Sequence, residues 1–257
     1  MTGAVAVPLP RVLARTCAAE WSRLWTVRTT WWFLLAAAVV LVGLGVVAGV
    51  DAAGNPASTA GDPVWPGVTV FVMPAQFALF GLALTAVTSD HATGGIVPTL
   101  QWTPRRGVLY LARALVAVGT ATAAGVLLVL TSALAAHTAA PALTLPVGEG
   151  VDALGTVALV VAAGAALGVG LGFLLRSTAG ALVLVFLLLL VLPLVLPQFG
   201  LAWATSLAEV LPGTGAAFLL FGEPVGTSWA HSVTVLLAWA AGALLAGWLR
   251  LSRGDAR

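Results

Sequence analysis

The chain has 257 residues, of which 60% are hydrophobic and only 8% charged, and its mean hydropathy is +1.07. A soluble domain of this length would need a charged surface that this composition cannot supply, so the solvent must be lipid. The formal charge is +2, every basic residue is Arg, and nothing in the pattern implies a nucleic-acid partner.

A helix crosses the hydrocarbon core with about 20 mainly apolar residues, so the length holds about six spans and leaves no room for a separate globular domain. Residues 1–29 form a cytoplasmic N-terminus. In it Leu13, Cys17, Trp21, Leu24 and Trp25 recur at helical spacing, while Arg11, Arg15 and Ser22 point elsewhere. That pattern predicts an amphipathic helix lying on the inner membrane surface, as an anchor or as a contact for a partner. Glu20 interrupts its apolar side and stands three residues before Arg23, close enough to pair with it. Cys17 is the only cysteine, which excludes an internal disulfide.

One transmembrane domain follows over residues 30–250, with apolar runs at about 30–50, 68–88, 109–136, 153–175, 181–197 and 231–249. Transmembrane strands would alternate over about ten residues. Leu182 to Leu192 is apolar at every position, so the class is an all-α polytopic membrane protein with six transmembrane helices. Between runs two and three, Gly94 and Gly95 end the helix and Pro98 can start a short one. This segment reads either as a docking turn or as a solvated loop ahead of Arg105 and Arg106. Gly164, Gly168 and Gly172 lie on one face of run four, and Gly45 and Gly49 make a shorter version on run one. Such stripes let helices approach closely, within the chain or across a dimer seam. Run five contains Pro193 and Pro197, which predicts a kinked or unwound outer end. Residues 198–230 are too apolar for a free loop and are split by Pro212, Gly213 and Gly215. They read as re-entrant outer helices or as a loop covered by the spans. Residues 251–257 form a short cytoplasmic tail.

Arg accumulates in cytoplasmic segments because it resists translocation. With both termini in the cytoplasm of a multi-pass cell-membrane protein, all eleven arginines fall at inner positions or adjacent helix ends. Asp51, Asp62, Glu149, Asp152, Glu209 and Glu223 fall outside. Adding or removing one span would split the arginine set across both faces.

Without Lys the phosphate-cradling motif of ATPases is impossible. His91, His137 and His231 lack any metal-ligand spacing, and no nucleophile–base pair stands out, so the chain is not read as an enzyme. The span interiors carry no charge, which disfavours an ion-coupled carrier. Gln76, Thr85, Thr120 and the other uncharged polar groups of the spans either line a cavity or bond between helices and back to their own chain.

Glu20 to Trp32 reads E-W-S-R-L-W-T-V-R-T-T-W-W, and after run two come Asp90, Thr93-Gly94-Gly95-Ile96, Thr99-Leu100 and Pro104-Arg105-Arg106. Both stretches, with the ending Arg253-Gly254-Asp255-Ala256, resemble actinobacterial type-2 ATP-binding-cassette transporter permeases. The chain departs from the family in lacking basic residues near Ala92 and Val97. The resemblance implies the permease subunit of an exporter, paired with a second permease and with separate ATPase subunits that hold ATP and Mg. It assigns ATPase contact to the surface helix, with Glu20 and Arg23, and to Asp90, Thr93, Gly94, Gly95, Ile96, Pro104, Arg105 and Arg106. It matches residues 198–230 to outer re-entrant helices. A non-transporting sensor or immunity protein for an antimicrobial is the alternative from a different class.

Overall fold

The structure, a computed structural model, describes residues 8–92, 106–222 and 228–253. Among these residues there is no strand, only an isolated bridge between Pro63 and Thr144. A helix over Leu9–Thr26 precedes six helices long and apolar enough to cross a membrane: Arg28–Gly54, Val72–Ala92, Arg106–Ala139, Val147–Leu175, Thr178–Phe199 and Trp229–Arg253. They are spans one to six. Each extends the corresponding apolar run at one or both ends, because capping turns and polar end residues complete helices whose centres alone carry the hydropathy signal.

Burial sorts the spans into a centre and a rim. Over its most apolar stretch span two is 67% buried and span four 78%, whereas the other four lie between 22% and 28%. The rim spans turn Leu35, Val39 and Val47, Leu111, Leu115 and Leu127, and Leu237 and Leu245 outward. Exposed leucine costs nothing in lipid, so the outward faces need no polar residues. Trp21, Trp31 and Trp32 are exposed near the start of span one, and Trp203 and Trp229 are exposed at the opposite end. Two aromatic belts at the ends of a bundle mark the two membrane–water interfaces.

The glycine stripe on span four faces span two within the same chain. A Cβ on Gly164 would stand 2.1 Å from Phe80 Cζ, and one on Gly172 2.9 Å from Val87 Cγ2. Gly168 is less crowded, with 3.6 Å to Leu84. The seam of span four that is backbone against backbone is one the stripe does not include. A Cβ on Gly170 would lie 2.3 Å from the carbonyl carbon of Ala243, and one on Gly247 2.6 Å from the Gly170 oxygen, so spans four and six meet backbone to backbone. Gly45 and Gly49 serve span one in the same way, against Ser132 and Ala136 of span three.

Two rim spans contain a π-helical turn, Val39–Gly43 in span one and Leu187–Val191 in span five. A widened turn frees carbonyls from the helix ladder, and in lipid these need another partner. In span one the Ser132 hydroxyl donates to Leu41 O at 2.7 Å, reaching it over Gly45. In span five Pro193 has no N–H to offer the carbonyl four residues earlier, that of Leu189. Gly213 packs onto that carbonyl so closely that a Cβ would be 2.2 Å from its oxygen. Span five therefore continues through its prolines as an irregular helix, ending in a 3-10 turn at Leu196–Phe199.

Gly213 belongs to a pair of short helices, Ala202–Glu209 and Pro212–Phe221, bent by 70° at the break the sequence predicts. Trp239 of span six donates to Val210 O at 2.8 Å and Thr214 to Ala208 O at 2.6 Å, pinning the bend against the bundle.

Candidate functional site

Alternation of six spans brings the surface helix, the end of span two, the start of span three and the end of span six to one end of the bundle. Arg106 donates to Leu251 O and Ser252 O at 3.1 and 3.3 Å, capping carbonyls that the last turn of span six cannot satisfy itself. One turn further on, the Tyr110 hydroxyl donates to Leu244 O at 2.6 Å while its ring packs against Phe173 and Trp248. These contacts place the start of span three and Arg253 at the same end as the surface helix.

Glu20 lies at the centre of this end. Its Oε1 accepts from Arg113 Nε at 3.0 Å and its Oε2 from Arg23 Nε at 2.9 Å. Arg23 also donates to the carbonyl of Ala86 and to Ser89 Oγ, both near the end of span two. The Glu20 side chain is 10% exposed and that of Arg113 1%, so the carboxylate joins two guanidinium groups largely out of water. Arg113 lies about 10 Å along span three from Arg106, at 1.5 Å per residue. From the sequence it counts among arginines at inner positions or adjacent helix ends, and the span interiors are taken as uncharged; it lies within the apolar run 109–136, buried, with Glu20 as its counter-ion. The acidic interruption of an otherwise apolar helix face was the visible signal. The partner could not be read, because Glu20 and Arg113 are 93 positions apart.

The triad ties one helix to two spans. Thr30 donates to Leu24 O at 2.7 Å and fixes the corner between the surface helix and span one. The hydroxyls of Thr88 and Thr178 lie 2.5 Å apart, joining the end of span two to the start of span five. Thus the segment from Ala86 to Ser89, from which the chain leaves for residues 93–105, touches both the surface helix and span five. Of the predicted contact residues, Glu20 and Arg23 pair at this end of the bundle, and Arg106 stands at the same end, bonded to span six. Thr93, Gly94, Gly95, Ile96, Pro104 and Arg105 lie outside the described residues, as does the side chain of Asp90.

The polar groups of the spans resolve the other way from a cavity in most cases. Thr85 donates to Leu82 O, Thr88 to Leu84 O and Thr122 to Val118 O. Thr120 donates to Val116 O and also borders a lateral groove between spans one and three. Gln76 is fully buried: Nε2 donates to Met73 Sδ at 2.8 Å, and Oε1 has no hydrogen-bond partner among the described residues. His137 and His231 each meet a backbone carbonyl, and no group of three His, Cys, Asp or Glu that could hold a metal occurs among the described residues.

Six apolar helices, two aromatic belts and one arginine-bearing end define a multi-pass helical membrane protein. No protein-family model matches the chain, and no curated protein is significantly similar to it.

Proposed function

We propose that the chain is the transmembrane permease subunit of an ATP-driven exporter in the cell membrane, with both termini cytoplasmic. A separate ATP-binding-cassette subunit supplies ATP hydrolysis, with its Mg, and a second permease completes the pathway. The observation that carries this reading is the Arg113–Glu20–Arg23 cluster. It fastens the surface helix to spans two and three where span two leaves for the segment that resembles an ATPase contact. A force applied to the surface helix or to that segment is carried to three helices together, because the Glu20–Arg113 pair is buried and Arg23, itself partly exposed, bonds both Glu20 and the Ala86 carbonyl of span two. Among the described residues the spans carry no charge deeper than Arg113, so a proton relay has no groups to use and energy enters from a partner. The bent outer pair re-enters the outer leaflet and closes the outer end of the pathway. Apolar spans suit a hydrophobic cargo.

Affinity purification from the native membrane, followed by reconstitution, tests the reading. An ATP-binding-cassette protein should co-purify, and ATP should drive efflux from proteoliposomes. Purification without any ATPase, or a complex that hydrolyses ATP with no flux of any apolar probe, removes the exporter reading in favour of a sensor or immunity protein.

A further inference from the structure

The surface helix and spans one and three border an open lateral groove of about 510 Å³, lined by Trp21, Trp25 and Trp31 and, among leucines, by Ala38, Gly119 and Ala123. A Cβ on Gly119 would meet nothing within 4 Å, so the space beside it is open rather than a packing seam. The Trp25 ring packs between those of Trp21 and Trp31, and Trp31 Nε1 donates to Trp25 O at 3.2 Å, which holds the aromatic rim in place.

Arg28 sits on the same helical stripe as Trp31, Leu35 and Ala38, one turn nearer the membrane surface. It is exposed and makes no ion pair among the described residues. The ten-residue step from Arg28 to Ala38 rises about 15 Å, half the hydrocarbon thickness of a bilayer. A cation at headgroup height above an apolar slot one leaflet deep is complementary to a single amphiphile with an anionic head.

We propose that this groove is a binding site for one anionic phospholipid of the leaflet facing the arginine-bearing end. An acyl chain lies along Gly119 and Ala123, and the phosphate meets Arg28. The site rests on the membrane fold alone and is independent of ATP-driven transport, so loss of the exporter reading leaves it standing.

Native mass spectrometry of the purified, delipidated protein, titrated in parallel with dioleoylphosphatidylglycerol and dioleoylphosphatidylcholine, tests it. The unmodified chain should retain one phosphatidylglycerol with a preference of about five-fold over phosphatidylcholine, the contribution of one basic residue near an anionic headgroup. Arg28→Gln should abolish that preference while leaving the residual binding of both lipids. Gly119→Leu, which fills the slot without touching the packed core, should reduce binding of both. Equal retention of the two lipids by the unmodified chain, or an unchanged preference in Arg28→Gln, overturns the proposal. So does displacement of phosphatidylglycerol by inorganic phosphate alone, which would mean an anion site without a chain slot. A shift from dimer to monomer in Gly119→Leu would mean that a second copy fills the groove, and also overturns it.

Discussion

Glu20 accepts from two arginines, and its pairing with Arg113 lies where water scarcely reaches, so those two side chains are energetically one unit. Removing only the carboxylate leaves the Arg113 guanidinium buried without its counter-charge, a loss of about 3–5 kcal/mol for a broken buried pair. Glu20→Leu should therefore lower the melting temperature in detergent sharply. The double variant Glu20→Leu with Arg113→Met should recover much of the loss, because it removes both charges from the low-dielectric site. Arg23→Ala should cost less, since the Arg23 side chain is 30% exposed and water screens its pairing. Equal losses for the single and double variants would mean that the pair is not coupled. Arg176 differs in kind. It ends span four in the left-handed region at φ 54°, with its N–H donating to Gly172 O at 2.9 Å. A residue with a Cβ is strained there, so Arg176→Gly should stabilise the fold by about 1 kcal/mol, read as a higher melting temperature.

At the scale of helices, close approach rather than burial area decides which substitutions matter, because lipid provides no hydrophobic drive between spans. Gly170→Ala would push a methyl group into the Ala243 backbone, which cannot swing aside as a side chain can. A loss of about 1–3 kcal/mol or a separated span six is expected. Gly168→Ala places its methyl at ordinary contact distance from Leu84 and should be neutral or gain up to about 1 kcal/mol of helix propensity. Thermal denaturation of the two variants side by side checks this, and equal behaviour would contradict the seam. Periodicity marked Gly164, Gly168 and Gly172 as a face but could not rank them, and it passed over Gly170. A single glycine outside the stripe carries no pattern; only the neighbouring backbone makes it indispensable. The outer pair Ala202–Glu209 and Pro212–Phe221 was more legible, since Pro212 and Gly213 announce the break. Its attachment to the irregular turn of span five was not.

For the whole molecule, six spans put the surface helix and Arg253 at one end and Glu149 and Asp152 at the other. In a Cys17→Ser background, single cysteines at Arg11 and Arg253 should react with an impermeant maleimide only after the cells are opened. One at Asp152 should react on intact cells. Labelling of Arg11 and Arg253 positions from opposite sides would require an odd number of spans. The sequence by itself determined the membrane class, the six spans and the grouping of arginines, because hydropathy and positive charge act residue by residue against a planar solvent and need no knowledge of neighbours. It also located the acidic interruption at Glu20 and the break at Pro212. Only the tertiary structure decided that spans two and four form the centre, that Glu20 pairs with Arg113, that Gly170 and Gly247 form a backbone seam, and that a groove opens beside Arg28. These depend on which helix face meets which. In lipid that choice rests on shape and on a few buried polar contacts between residues far apart in the chain, which leave no periodic trace in the sequence.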